Sequence, residues 1–257
     1  MHISELTLFQ FRNYAEAQFT FSNGINCFSG KNGAGKTNVL DAIHFLCLTR
    51  SYFHAQDALC KKQGTDMMVV KGQVQMNDRV DTLTCGINEN NRKVLKCNGK
   101  EYPKLSEHIG RFPVVMIVPA QINLIYEGSD ERRRLLDMAI AQTNKQYLDD
   151  LMRYNRALDQ RNKQLKQFDR ERFYDRDLLL IWEKILVESG HRIAQVRYKY
   201  TAFISETFKQ LYAEISGGAE EVDVTYQSEL LAHSLSDLMD QNLERDRVLQ
   251  RTGSGIH

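Results

Sequence analysis

Residues 28–43, FSGKNGAGKTNVLDAI, limit what this chain can fold into more than any other stretch. Gly30, Lys31, Asn32, Gly33, Ala34, Gly35, Lys36 and Thr37 satisfy the pattern G-x-x-x-x-G-K-S/T in full. They sit between a short apolar run, INCFSG, read as a strand, and a helix-spaced run that begins at Lys36. A triphosphate needs several donors on a tight curve. Successive backbone N–H groups supply them where side chains keep clear, which the three glycines ensure. The helix start adds unpaired N–H groups and partial positive charge. In such a loop Lys36 reaches the β- and γ-phosphates and the Thr37 hydroxyl ligates Mg2+. From average residue usage, a chance match in a chain of 257 residues is about one in a hundred. The stretch predicts an α/β protein that binds ATP or GTP.

Such a loop names a nucleotide rather than a task. Hydrolysis also calls for an acidic residue at the end of an apolar strand, to hold Mg2+ and orient water. VVMIVPA (114–120) has the hydrophobicity without the acid, and KILVES (184–189) lies in a helical pattern. No catalytic residue is therefore assigned, and slow or absent hydrolysis is expected of residues 1–257.

The rest of the chain sets bounds. Its mean hydropathy of −0.47, and the lack of any apolar run near the roughly 18 residues that span a bilayer, predict no membrane segment. The opening, MHISELTLFQFRNY, has no basic region followed by an apolar core, so no signal peptide is read there. Five cysteines without C-x-x-C spacing fit reduced residues of a cytoplasmic protein. A net charge of +1 hides a contrast: basic residues dominate 131–176, and acidic ones dominate 214–246.

The first 119 residues read mostly as strands: ISELTLFQF, EAQFTF, MMVVKGQVQM, RVDTLTCGI, RKVLKCNGKEY and a buried VVMIVP. Asn77-Asp78 and 88–91 carry turn chemistry between them. Lys36 to Leu48 is spaced as a helix. Beyond Gly128 the texture becomes helical, near 130–141, 145–168 and 177–215, with Ser129 as a cap and Gly217-Gly218 as a stop. Leu178 to Ile181 and Trp182 read as helical core, EVDVTYQ as a strand, and 234–250 as one final helix. Three parts follow: a strand-rich lobe at 1–119, a helical lobe at 120–228, and a segment at 229–257 returning toward the first lobe.

FRNY (11–14), GKTN (35–38) and DAI (41–43) resemble the opening of the RecF family of DNA replication and repair proteins. EGSDERRRLLD (127–137) resembles that family's second signature, YNRALDQRNKQLK its helical lobe, and RTGSGIH the start of a segment continuing as His-Arg-Asp-Asp. The match runs from end to end. The resemblance implies an ABC-type ATPase lobe, β-rich at its N-terminus, with an inserted mainly helical lobe, as in SMC proteins. It implies ATP and Mg2+ as cofactors, with ATP sandwiched in a head-to-tail homodimer and weak ATPase activity in the full-length protein. It also implies binding to double-stranded and gapped DNA, RecA loading with RecO and RecR, and a part in DNA damage repair and the SOS response. Family members run on to a Ser-Gly-Gln signature and an acidic strand that these residues do not contain. PAQIN (119–123) has Ala120 and Gln121 where the family has acids, and Gln121 is carried as a Mg2+- or water-sensing residue.

Other features admit two readings. Arg12 and Asn13 form either an ordinary turn or, by the resemblance, the adenine end of the nucleotide site. Asn38 belongs to the phosphate loop. Arg132, Arg133 and Arg134 open a helix, where cations oppose the dipole; they serve either phosphate contacts or salt bridges to the acidic C-terminal part. Lys163, Lys166, Arg170, Arg172 and Arg176 crowd a helix tip, either a solvated face or a contact for duplex backbone. Two other functions fit the loop, a chromosome-structure ATPase head and a kinase of a small molecule. The stretch from 145 to 215 is too short for a long tether at roughly 1.5 Å per helical residue. A pure scaffold would have no use for Thr37.

Overall fold

A computed structural model describes residues 1–126 and 128–256. The chain divides into two compact units, Met1–Ala120 and Gln121–His257, and each is taken by itself.

The first unit is a six-stranded antiparallel sheet with one long helix on it. Strands β1 (His2–Phe11), β2 (Tyr14–Thr20), β3 (Met68–Met76), β4 (Arg79–Ile87), β5 (Lys93–Cys97) and β6 (Lys100–Glu101) lie in the order β2-β1-β3-β4-β5-β6. Alternation along each strand sends Leu6, Leu8, Val70, Val74, Leu83, Cys85 and Leu95 to one fully buried face. Helix α1 (Lys36–Leu48) covers that face with Val39, Ala42, Phe45 and Leu46. It sits so close to β3 that a Cβ on Gly72 would fall 2.6 Å from Leu46 Cδ2. The tight turns follow their residues: Asn77 after β3, and Asn98-Gly99 between β5 and β6, take positive φ, as two-residue hairpin loops require.

The carbonyls at the end of α1 find donors from three directions. His108 Nε2 lies 2.9 Å from Leu46 O, His44 Nδ1 lies 2.9 Å from Arg50 O, and Lys93 Nζ donates to Thr49 O. Each imidazole keeps its second nitrogen buried without a hydrogen-bond partner, so protonation would bury an N–H with nothing to accept it. Burial pushes both pKa values down. The unfolded chain then binds more protons as pH falls through the ordinary histidine range near 6.5, and stability is lost below that point. Above about pH 7 both rings are neutral in either state and the contribution is flat. Denaturation between pH 5 and 8 is expected to show this slope, at most about 1.4 kcal/mol per pH unit for each histidine. His108→Gln, which keeps a donor near Leu46 O and does not titrate, should flatten it; an unchanged slope would refute the assignment.

The second unit is helical. After a short α2 (Asn123–Tyr126) come α3 (Ser129–Thr143), α4 (Lys145–Glu171) and α5 (Arg176–Ser216), followed by α6 (Leu235–Gln241) and α7 (Leu243–Leu249). Helices α4 and α5 form a hairpin, with Tyr147, Tyr154, Ala157, Leu186, Ile193 and Ala194 in its core. Asn144 and Asp175 cap the two helices through their side chains, and Gly217 ends α5 at φ 64°. Leu230, Leu235, Met239 and Ile256 complete the same core, so the segment 229–257, expected to return toward the first lobe, belongs to the second unit.

Several sequence expectations need correction. INCFSG, VVMIVP and EVDVTYQ form no strands among the described residues. Ile25, Val115 and Ile117 are 92%, 76% and 80% exposed. Apolar composition encodes a preference for burial and does not by itself specify a strand. The expected final helix breaks at Asn242, whose side chain bonds back to Leu238 O and to Ser254. Ser129 is the first helical residue rather than the cap, which is Gly128. Of the run read as helical core, Leu179 is buried but Leu180 and Ile181 are exposed, as a helix of period 3.6 dictates.

Candidate functional site

The loop at 30–37 leads into α1 from a segment held by aromatic edges. Phe28 packs edge-on against Phe19 and Phe21, and Phe19 in turn meets Tyr14. The loop then curves through Gly33 at φ 80° and Gly35 at φ 105°, a region that L side chains rarely enter. At Gly35 space is also short. A Cβ there would lie 2.7 Å from Asn13 Nδ2 and 2.7 Å from Tyr14 Oη. The N–H groups of Gly35, Lys36 and Thr37 have no acceptor among the described residues, leaving donors clustered at the start of α1. Lys36 Nζ folds onto the loop, donating to Gly30 O at 2.7 Å and Lys31 O at 2.9 Å. Ala34, Lys31 and Asn32 are exposed, as is Thr37.

Around the loop stands a polar frame. Asn13 Nδ2 donates to Ala34 O at 3.3 Å, and Asn38 Nδ2 donates to Asn13 Oδ1 at 2.8 Å. Lys62 Nζ donates to the Asn13 carbonyl at 2.9 Å. The Arg12 guanidinium is held elsewhere: on Asp41 Oδ2 at 2.8 Å, on Ser51 Oγ at 3.1 Å and on Leu59 O at 3.1 Å. Arg12, which the resemblance places near the adenine end of the nucleotide, ties the β1–β2 turn to α1 through these bonds. Asp41 is fully buried and also accepts from Ser51 Oγ and from Tyr52 N–H at 2.8 Å. Buried charges persist where every lone pair is answered.

The first unit thus brings together Arg12, Asn13, the loop residues 30–37 and Asn38. Sequence reasoning missed Asp41, Ser51 and Lys62. Asp41 stood in plain view one helical turn beyond Thr37; Lys62 gave no local signal. Gln121 lies in a short 3-10 turn, Pro119–Ile122, in the second unit. Among the described residues no cluster of three or more His, Cys, Asp or Glu side chains could hold a metal.

The basic candidates are mostly paired nearby. Arg133 bonds Ser129 Oγ at 2.6 Å and pairs with Asp130, Arg134 pairs with Glu131 at 2.6 Å, and Arg132 donates to Leu124 O at 2.8 Å. The acids of Arg133 and Arg134 lie three residues back, not in the acidic C-terminal part. At the tip Lys163 pairs with Asp159 and Arg170 with Glu171, while Lys166 is exposed with no ion pair among the described residues. Arg176 is structural, bridging Glu183 and Asp240 at 2.6 Å each.

A phosphate-type loop opening a helix on an antiparallel sheet, with a helical hairpin unit following in the chain, defines the head of an ABC-type, SMC-like ATPase. The RecF/RecN/SMC N terminal domain family matches residues 2–222. A DNA replication and repair protein RecF from Flavobacterium johnsoniae is 40% identical over 257 residues, covering all of this chain and 72% of that one. One from Parabacteroides distasonis is also 40% identical, with 69% of its length covered. A solved structure of the recombination mediator protein RecF, described as RecF-ATPrS in the RecFOR pathway, superposes with a TM-score of 0.89 at 30% identity. That match spans the whole of this chain and 71% of the other. A second, described as RecF-ATP, gives 0.88. The chain belongs to the RecF family.

Proposed function

We propose that residues 30–38 hold Mg-ATP and that the protein uses it in ATP-dependent DNA binding during recombinational repair and replication restart. The observation that carries the nucleotide reading is the loop itself: unpartnered N–H groups at Gly35, Lys36 and Thr37 beside a lysine that need only exchange two carbonyls for phosphate oxygens. Thr37 supplies a hydroxyl for Mg2+. The RecF-ATP relatives support the same ligand.

In this reading the partners are double-stranded and gapped DNA, RecO/RecR-type mediators of RecA loading, and a second copy of the full-length protein in an ATP-dependent homodimer. The setting is cytoplasmic, and no described helix is long and apolar enough to cross a membrane. The arginine triplet and the α4–α5 tip are the proposed DNA contacts. Exposed i, i+3 ion pairs are worth only about 0.2–0.5 kcal/mol, so Arg133 and Arg134 exchange their acids for phosphate at little cost.

The test is duplex binding with and without ATP across a salt series. Affinity is expected to require ATP and to fall log-linearly with salt. Lys166→Glu with Arg170→Glu should weaken binding several-fold and flatten the slope by roughly one per lost phosphate contact. Salt-independent binding would sink the DNA reading, and failure of ATP to bind would sink the nucleotide reading.

A further inference from the structure

Asn13 does not have to touch a nucleotide to govern its binding. A loop that aims N–H groups inward must turn the preceding carbonyls outward, because a trans peptide points its C=O and N–H in opposite directions. Those outward carbonyls need donors of their own. Here Gly30 O and Lys31 O are satisfied by Lys36, and Gly35 O by the first helical N–H groups of Asn38 and Val39. The Ala34 carbonyl is satisfied by Asn13 Nδ2.

We infer that Asn13 is a positioning residue for the phosphate loop: by holding the Ala34 carbonyl outward it aims the Gly35 N–H at bound phosphate. This rests on the nucleotide reading above. Three features of the fold aim Asn13. Its backbone carbonyl is pinned by Lys62 Nζ at 2.9 Å. The neighbouring Arg12 sits at φ 56°, held there by its N–H on Cys60 O and its guanidinium on Asp41. The carboxamide itself is oriented by Asn38, whose Nδ2 takes Asn13 Oδ1 and leaves Asn13 Nδ2 facing Ala34 O. A flipped amide would set oxygen against that fixed carbonyl. The close approach at Gly35, where a Cβ would meet both ends of the same carboxamide at 2.7 and 2.9 Å, shows Asn13 fitted onto the loop backbone.

A positioning role and a base contact give opposite results with a ligand that has no base. Binding of ATP and of inorganic tripolyphosphate to the protein is to be measured by calorimetry for wild type, Asn13→Ala and Asn13→Leu. Both substitutions are neutral and remove the donor. Loss of one aimed donor to a charged phosphate predicts roughly a tenfold weakening for both ligands alike. Because Asn13 is exposed, the melting temperature without ligand should stay within about 2 °C of wild type. Asn38→Ala, which removes the bond that orients the Asn13 carboxamide, should weaken both ligands as well. A loss confined to ATP would overturn the inference in favour of a base contact, and no loss with either ligand would overturn it outright. Wild-type protein that binds neither ligand would overturn the nucleotide reading, and this inference with it.

Discussion

Gly35→Ala is expected to weaken ATP binding by roughly 100-fold while the protein stays folded, and Gly33→Ala to weaken it far less. Both glycines have positive φ, so both alanines carry backbone strain of about 1–2 kcal/mol. The difference is what a methyl group meets. At Gly33 nothing lies within 4 Å, whereas at Gly35 the methyl falls on Asn13 and on the Tyr14 hydroxyl. Both obstacles are side-chain ends near the surface, so they can swing aside and the fold survives. Swinging aside, however, removes the hydrogen bond that holds Ala34 O and shifts the N–H groups at the head of α1. Loss of aim at two or three donors to charged phosphate, at about 1.5–3 kcal/mol for one fully lost, exceeds the strain alone. Calorimetric titration with ATP, beside thermal melts of both variants, separates the two terms. Equal losses for the two alanines would show that strain, not the Asn13 contact, sets the requirement for glycine.

Much of the architecture was legible because it is local. The helix α1 was read to the residue from its 3.6-residue apolar spacing and the glycine before it, and α3, α4 and α5 to within a few residues. The hairpin that closes on Asn77-Asp78 was visible through its turn residues, whereas the one at Asn98-Gly99 was not: RKVLKCNGKEY, read as one strand, splits there into β5 and β6. What failed depends on neighbours distant in sequence. VVMIVP and EVDVTYQ carry strand composition, yet composition says nothing about which edge a strand joins. The phosphate loop was legible as a motif, whereas its frame was not. Asp41 and Ser51 answer Arg12 across 29 and 39 residues, and Lys62 reaches Asn13 across 49. Arg133 and Arg134 show the reverse error: their charge suggested a distant acidic partner, and the helix geometry gave them acids one turn away.

The second large effect is expected in the other unit. Arg161, in the middle of α4, is fully buried. Its Nε donates to Glu183 Oε1 at 3.0 Å, and its Nη1 donates to Asp246 Oδ2 at 2.7 Å and Thr252 Oγ1 at 2.8 Å. One guanidinium thereby joins α4, α5, α7 and the segment 251–256. That segment has no regular secondary structure and depends on such bonds: Thr252 N–H and Oγ1 to Asn162, Gly253 N–H to Asp246, Arg197 to Ile256 O, and Ile256 N–H to Tyr154 Oη. Arg161→Met fills most of the volume but leaves the carboxylates of Asp246 and Glu183 buried, the first without a cation. Glu183 retains Arg176. Breaking a buried pair in this way costs about 3–5 kcal/mol, against at most about 1 kcal/mol for an exposed pair such as Lys163 with Asp159. Pairing Arg161→Met with Asp246→Leu should recover part of the loss, since the orphaned charge goes too, though Gly253 N–H then lacks its acceptor. Urea denaturation of the two single variants and the double gives the coupling. Hydrogen exchange at Thr252 and Gly253 should accelerate in Arg161→Met well beyond exchange at the α4–α5 core. Uniform acceleration across the unit would mean that Arg161 holds the hairpin and not the segment, and a loss below about 1 kcal/mol would mean that the buried pair carries no more than a surface one.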